Sequence, residues 1–420
     1  MAEPAKRPPL MPLDEALARL LEAARPVMPF ESVSTFEADG RVLAQDVVSG
    51  LTVPPRDNSS MDGYAIRIAD GSAPGSVLRV AQRIPAGSVG VPLAAGTAAR
   101  IFTGATIPEG ADAVVMQEDT TPVASGDLDE SQGFGTVRID ISPSAGQWIR
   151  RAGEDVKAGD VVLSRGERLT PAALGLAASV GCDRLQVARR PRVTLLSTGD
   201  ELVMPGEVAP EAMKPGSIYN SNRFFMRALL MRLGCDVRDM GIVPDRREAT
   251  IDALREAAET SDLIITTGGV SVGEEDHIKA AVQALGQLDL WSLSMKPGKP
   301  FAYGRIGEAH LTGLPGNPVS SFLTFLLLVR PFLLTLQGAT RVSPVAVPMR
   351  ADFDWPRADR RREFLRARRN DHGGLDLFAN QSSGVLTSMV WGDGVIDTPA
   401  GQAFKAGDQV SFIPFASLLG

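Results

Sequence analysis

The residues able to do chemistry in this chain sit in loops marked by glycine and proline. The sharpest is Gly268-Gly269-Val270-Ser271-Val272-Gly273, entered from Asp262-Leu263-Ile264-Ile265-Thr266-Thr267 and followed by Glu274, Glu275 and Asp276. An apolar β-forming run that ends abruptly in glycines reads as a buried strand opening into a loop. Glycines let backbone N–H groups approach an anion, and Ser271 adds a hydroxyl. Carboxylates beside such a loop fit a phosphorylated ligand held with a divalent cation. An ordinary strand-to-helix turn carries the same letters, and no Walker or dinucleotide pattern is completed.

Five more segments have this character. Ser197-Thr198-Gly199-Asp200-Glu201-Leu202 places two acidic residues at a strand end. They serve either a turn or a ligand. Asn220-Ser221-Asn222 opens a helix, so capping accounts for at least one side chain. Asp245 follows Val243-Pro244 and either caps the next helix or faces a ligand from a βα loop. Lys296-Pro297-Gly298-Lys299-Pro300 holds two lysines in a bent loop, suited to phosphate or oxyanion charge or simply solvated. Gly313-Leu314-Pro315-Gly316-Asn317-Pro318-Val319-Ser320 precedes a long apolar helix. Ser320 or Asn317 is the expected cap there, leaving N–H groups for an anion.

Upstream, Arg56-Asp57-Asn58-Ser59-Ser60-Met61-Asp62-Gly63-Tyr64-Ala65 is crowded with polar groups. Asp62 before Gly63 is either an Asx turn or the acidic lobe of a composite site. Phe102-Thr103-Gly104-Ala105-Thr106-Ile107-Pro108 is a hydroxyl-rich turn, and Arg151-Ala152-Gly153-Glu154-Asp155 an acidic one. Arg360, Arg361, Arg362, Arg366, Arg368 and Arg369 form a basic run, read as a solvated sheet edge because no aromatic stacking platform accompanies it. Nucleic acid is not an expected partner. The formal net charge of −7 points the same way. Three scattered histidines and the two cysteines, Cys182 and Cys235, make no zinc or iron–sulfur cluster and no disulfide framework.

These loops need elements to position them, and 420 residues are too many for one core. About three or four domains are expected. Leucines at 13, 17, 20 and 21 predict a short amphipathic helix, stopped by Pro26 and Pro29. Residues 51–149 are strand-and-turn in character and predict a β-rich domain. Thr170-Pro171 caps an alanine-rich helix that Gly181 ends. That helix pattern groups residues 1–50 with 150–190 as one discontinuous domain. Residues 191–335 alternate strand and helix, which predicts a mostly parallel sheet covered on both faces. Ligands are then expected beyond the carboxyl ends of its strands. Residues 340–420 return to short strands and form a small β-domain. Lys157-Ala158-Gly159-Asp160 and Lys405-Ala406-Gly407-Asp408 are two similar turns. The N-terminus has no hydrophobic signal core, and Phe322 to Leu336 is too short for a bilayer. A soluble cytoplasmic protein is expected.

Taken together, Asp57 to Ala65, Thr103-Gly104-Ala105, Arg151 to Asp155, Ser197 to Leu202, Gly268 to Gly273, Lys296 to Pro300 and Leu314 to Ser320 resemble the MoeA family of molybdopterin molybdenumtransferases, which includes the E domain of gephyrin. The matching segments span nearly the whole chain. The glycine loop alone would also suit MogA-like adenylyltransferases and CinA-like proteins.

The resemblance implies a multidomain α+β protein. A central MogA-like three-layer α/β/α domain would be joined by a β-rich insertion and a small β-barrel-like C-terminal domain. It implies an elongated homodimer that inserts molybdate into adenylylated molybdopterin with release of AMP. Asp62, Glu201 and Asp276 are the expected catalytic residues. Asp62, Asp155, Glu201 and Asp276 are the expected Mg²⁺ set. Thr103, Ser197, Asp245, Gly268, Gly269, Ser271, Gly273, Lys296, Lys299, Pro315, Asn317 and Pro318 would bind the pterin–nucleotide. The Asp62 segment would face that ligand from the other subunit. A MogA-like upstream enzyme and molybdoenzyme maturation partners are implied as well. The competing readings are a MogA-like adenylyltransferase and a non-catalytic gephyrin-like scaffold.

Overall fold

The computed structural model describes residues 10–123, 134–269 and 277–419. Ser271, Gly273 and Asp276, three of the expected site residues, lie outside the described residues.

The α/β unit is built on a six-stranded sheet. Arg192–Thr198 lies between Asp236–Val243 and Leu263–Thr267, and Leu263–Thr267 pairs in turn with Ala309–Leu314, all in parallel. Two further strands extend the sheet antiparallel: Pro300–Ile306 beside Ala309–Leu314, then Gln287–Ser292. The sequence pattern did not announce these three last strands, because proline and the lysine loop obscured their period. Alternation along the parallel strands sorts their side chains between two cores. Val193, Leu195, Leu263 and Ile265 pack with Met226, Leu229 and Leu230 of the helix Ser221–Arg232. Leu196 and Ile264 face the opposite way, toward Leu254, Ala257, Ile278 and Ala281 of the helices Arg247–Thr260 and His277–Leu285. Period-two alternation requires this division.

The apolar segment near the end of the unit is longer than its sequence core. Pro318–Leu336 is one 19-residue helix, long and apolar enough to cross a bilayer, but 89% of it is buried inside the protein. Its central residues, Phe325–Val329, are π-helical. The buried Arg330 on this helix donates to the carbonyls of Leu418, Val342 and Ser417 and so ties in the C-terminus.

The helix Leu13–Ala23 belongs to this unit. Leu13, Ala16 and Leu20 join the core of Phe325, Leu328 and Phe332. Its grouping with 150–190 rested on helical pattern, which does not record which neighbour an apolar face meets. A different core unites Ala38, Leu43 and Val47 with Val156, Leu163, Leu169, Ala177 and Leu185. Thr170 caps the helix there, accepting from the Ala173 N–H at 3.3 Å, with Pro171 in the first turn.

The β-rich unit is a six-stranded sheet in which Gly63–Ile66 lies between Ala113–Met116 and Thr97–Ile101. Gly63 cannot be replaced freely, because a Cβ there would stand 1.9 Å from the Val115 carbonyl oxygen. At the C-terminus Arg362–Arg369, Gly374–Leu377, Val347–Ala351, Gln409–Pro414 and Gly394–Thr398 pair in sequence. Arg362–Arg369 also pairs with Gly394–Thr398, closing a small barrel. Met295–Lys296 adds to Arg362 and Glu363 and so stitches the α/β unit to the barrel. The two Lys-Ala-Gly-Asp turns do share one geometry. In each the aspartate carboxylate accepts from the lysine N–H, at 2.9 Å from Lys157 and 2.8 Å from Lys405.

The basic run is a solvated edge only in part: Arg360, Arg368 and Arg369 are exposed, but the others are drawn into the protein. Arg366 is 1% exposed and donates to Ser388 Oγ and to the carbonyls of Phe364 and Ser382. Burial pushes its guanidinium down to about 10. Arg362 is bidentate to Asp397, and Arg361, Arg368 and Arg369 pair with Asp359, Asp376 and Asp393. Asp359 is a local partner, whereas Asp397 reaches Arg362 only because the barrel closes, which a linear reading cannot see.

Candidate functional site

The carboxyl ends of the parallel strands open into a cavity of about 640 Å³. A second, of about 280 Å³, shares its wall at Thr198, Glu201, Gly268, Pro300, Pro315 and Gly316. The strand Arg192–Thr198 ends here, and alternation decides which hydroxyl it presents. Ser197 is fully buried and engages Thr267 Oγ1 at 3.2 Å within the sheet. Thr198, the next residue, lines the cavity instead. The cavity wall therefore takes Thr198 where the sequence pointed to Ser197, by a one-residue change of face.

Glu201 follows on the loop and lines both cavities, packed so closely over Gly199 that a Cβ there would meet its carboxylate at 2.5 Å. Asp245 reaches the smaller cavity from the next βα loop, and its N–H donates to Asp200 Oδ1 at 3.4 Å. Gly268 and Gly269 hold φ of +89° and +63°, a backbone that L side chains rarely adopt. A Cβ on Gly268 would stand 2.8 Å from the Thr198 carbonyl oxygen. Pro315, Asn317 and Pro318 complete the rim.

Asn220 caps the helix Ser221–Arg232 by accepting from the Arg223 N–H at 3.2 Å. Asn317 stands at the start of Pro318–Leu336 but makes no side-chain cap, and the Val319 N–H donates to Ser383. That end of the helix is held by the 383–384 segment rather than by the expected cap. Three residues lining the larger cavity carry a buried polar atom with no hydrogen-bond partner among the described residues: Thr198 Oγ1, Asn220 Nδ2 and Asn222 Oδ1. Buried polar atoms are ordinarily satisfied, so these three are hydrogen-bonding groups left over at this end of the sheet.

The two lysines lie to one side. Lys296 Nζ bridges Asp359 and Glu363 of the barrel at 3.1 and 3.0 Å. These pairings raise its pKa against the opposing effect of burial, the largest single influence. Lys299 is exposed, and neither lysine lines the cavities.

A second polar cluster forms on the β-rich unit. Asp62 Oδ1 accepts from the Thr103 N–H and from Thr103 Oγ1, both at 2.8 Å, across 41 residues. These two bonds, the backbone one first, hold the Asp62 carboxyl below the usual carboxylate range. Asp57 accepts from the Ala152 N–H at 2.8 Å and from Arg151 at 2.6 Å, so the segments around 57–63 and 151–155 share one lobe. Asp155 is exposed there. Within one chain, Asp62, Thr103 and Asp155 line neither α/β cavity. Among the described residues no group of three or more His, Cys, Asp or Glu side chains is arranged to hold a metal ion. Pro300, the last residue of the two-lysine loop, lines the larger cavity, as do Tyr219 and Gly384, which the sequence does not mark.

A carboxyl-end cavity on a mostly parallel sheet, flanked by an inserted β-rich unit and a terminal barrel, defines a multidomain ligand-binding α+β protein. Three family models cover most of the chain. Residues 11–181 match the MoeA N-terminal region (domain I and II), 194–335 a probable molybdopterin binding domain, and 348–415 the MoeA C-terminal region (domain IV). A protein of Haemophilus influenzae named molybdopterin molybdenumtransferase is 39% identical over 98% of this chain and 100% of its own length. Molybdopterin molybdenumtransferase 2 of Mycobacterium tuberculosis is 36% identical over 91% and 93% of the two chains. The crystal structure of the molybdopterin biosynthesis MoeA protein from Pyrococcus horikoshii covers 97% of this chain and 100% of its own, with a TM-score of 0.81 and 28% identity. The chain belongs to the MoeA family.

Proposed function

We propose that this chain is a molybdopterin molybdenumtransferase, which inserts molybdate into adenylylated molybdopterin and releases AMP. The observation that carries the reading is the cavity rimmed by Thr198, Glu201, Gly268, Pro315 and Asn317, with three unpartnered polar atoms in its wall. It lies in a chain alignable end to end with proteins of that name. At about 640 Å³ it has the size of a nucleotide-scale ligand site.

Each group has a task in this reaction. The hydroxyl of Thr198 and the amides of Asn220 and Asn222 would orient the ligand's polar edges. Backbone at Gly268 and Gly269 would approach its phosphate. Glu201 and Asp245 pose an electrostatic problem, since both reactants are anions. Oxygen ligands from one or two carboxylates plus substrate phosphate are the set Mg²⁺ takes. Glu201 and Asp245 therefore fit as its protein ligands, with Asp276 a further candidate. Bound there, Mg²⁺ would supply charge neutralisation at the phosphate link. Molybdenum's own ligands in the product would be the dithiolene sulfurs of the pterin, so no cysteine cluster is required.

Asp62 and Thr103 would complete the site from a second copy of the chain in a homodimer. The carboxylate of Asp62, fixed by two hydrogen bonds and kept ionised, is suited to orient a water or the cation. The adenylylated substrate would come from a MogA-like enzyme and the product pass to molybdoenzyme maturation partners, in the cytoplasm.

Incubation with adenylylated molybdopterin, Mg²⁺ and molybdate tests the reading. AMP and molybdenum cofactor should appear together, and only when molybdate is present. ATP-dependent adenylylation without metal insertion would assign the chain to the preceding step instead.

A further inference from the structure

At the opposite end of the α/β sheet lies a cavity of about 290 Å³ that the transferase reading does not use. It opens beneath the amino ends of the parallel strands, where Asp262 precedes Leu263–Thr267 and His310 lies near the start of Ala309–Leu314. Its wall includes Arg25, Arg189, Asp262, Arg305, Glu308 and His310.

The charges are not evenly matched. Asp262 is engaged by Arg189 in two bonds of 2.7 Å and by the Arg192 N–H at 2.7 Å, so Arg189 and Asp262 answer each other. Arg25 donates only to the carbonyls of Glu22 and Ala24 and has no carboxylate partner among the described residues. Arg305 reaches Glu308 at 3.3 Å, but that glutamate is fully exposed and screened by water.

His310, 7% exposed, shares this cavity wall with the guanidiniums. Its Nδ1 is taken by the Tyr303 hydroxyl at 2.9 Å, its ring stacks on Tyr303, and Phe332 meets it edge-on at 5.0 Å. Nε2 is the ring's remaining polar atom and has no protein partner among the described residues. Burial first, then the Arg305 charge, push the free imidazole down to about 4, so it is neutral near pH 7.

We propose that this cavity binds a small tetrahedral oxyanion, held by the guanidiniums of Arg25 and Arg305 and by His310 Nε2–H. Guanidinium forks match oxyanion geometry, and charge-assisted hydrogen bonds of this kind are the strong ones. With the Tyr303 hydroxyl donating to Nδ1, the neutral ring carries its proton on Nε2, the nitrogen assigned here to the oxyanion. The site is independent of the catalytic cavity, which lies past the other ends of the strands. The anion also favours the imidazolium, so binding takes up protons and tightens as pH falls. The charges around His310 are Arg25, Arg189, Arg305 and, through its pairing with Asp262, Arg192, against Asp262 and Glu308, so cations are in excess.

The test uses the full chain with inorganic phosphate and, separately, molybdate, in chloride buffer. Binding is followed by calorimetry and by the ring proton resonances of the three histidines. Either anion should shift the His310 resonance and raise its titration midpoint, and the tighter of the two identifies the physiological ligand class. Glu201→Gln should leave this binding intact. The double variant R25Q/R305Q should weaken it at least tenfold. Undiminished binding in a folded R25Q/R305Q protein would overturn the proposal. If that variant does not fold, the wild-type chain decides: a His310 resonance unmoved by either anion at millimolar concentration overturns it equally.

Discussion

Lowering the pH should destabilise the α/β unit through His310. An imidazole titrates at 6.5 in the unfolded chain and at about 4 in this environment. Its folded pKa is depressed, so the unfolded state binds the proton more readily. The stability associated with its neutral burial is fully present above 6.5 and is lost as pH falls toward 4. At about pH 5 the ratio of the two binding polynomials is roughly 30, or ~2 kcal/mol, and at about pH 7.5 the effect is close to zero. His310→Asn removes the titration while retaining an acceptor near Nδ1 for the Tyr303 hydroxyl. Its baseline stability will fall because the smaller side chain leaves Phe332 and Tyr303 underpacked. The quantity to compare is therefore each protein's loss between the two pH values, measured by urea unfolding in chloride buffer. Other titrating groups are common to both proteins and cancel. Wild type should lose about 2 kcal/mol more than the variant. Equal losses would refute the reasoning, since a histidine buried in its neutral form must show this slope.

Three further outcomes follow from the candidate site. Thr103→Val removes the hydroxyl bond to Asp62 but keeps the backbone one. The Asp62 carboxyl should titrate closer to its ordinary value of 3.8, and turnover should drop by about tenfold with melting unchanged. Unaltered turnover would separate Asp62 from the reaction. Gly268→Ala forces a left-handed residue, costing about 1–2 kcal/mol, and drives a methyl against the Thr198 carbonyl, so binding of adenylylated molybdopterin should weaken by about tenfold or more. Gly96→Ala, with φ +69° but open space, is the control that carries the backbone cost alone and should bind normally. Finally, Asp62→Asn and Glu201→Gln protomers, mixed under subunit exchange, should regain activity toward half of wild type per dimer. Verified heterodimers with no gain would end the shared-site model.

Much of the α/β unit was legible because its rules are local. Leu263-Ile264-Ile265-Thr266-Thr267 is a buried strand by its own composition, and Gly268 can hold φ +89° where other residues cannot. Thr170-Pro171 and Asn220 announce helix starts through side chains that act within three residues. The carboxyl-end rule then placed Glu201, Asp245 and Pro315 around one opening. What the sequence could not carry is which surfaces meet. Ser197 and Thr198 are adjacent hydroxyls, and only sheet pairing decides that one is sealed inside and the other lines the cavity. Leu13–Ala23 has an apolar face, but the choice of core belongs to the long helix it packs against. Arg366 looks like its neighbouring arginines in the chain, yet barrel closure buries it against Ser388 and brings Asp397 and Asp393 to Arg362 and Arg369. Asp62 and Thr103 meet across 41 residues because Gly63–Ile66 lies beside Thr97–Ile101. Local propensity and alternation depend on near neighbours and are written in the sequence. Facing, closure and ion pairing depend on the register between distant strands, and only the tertiary structure fixes that.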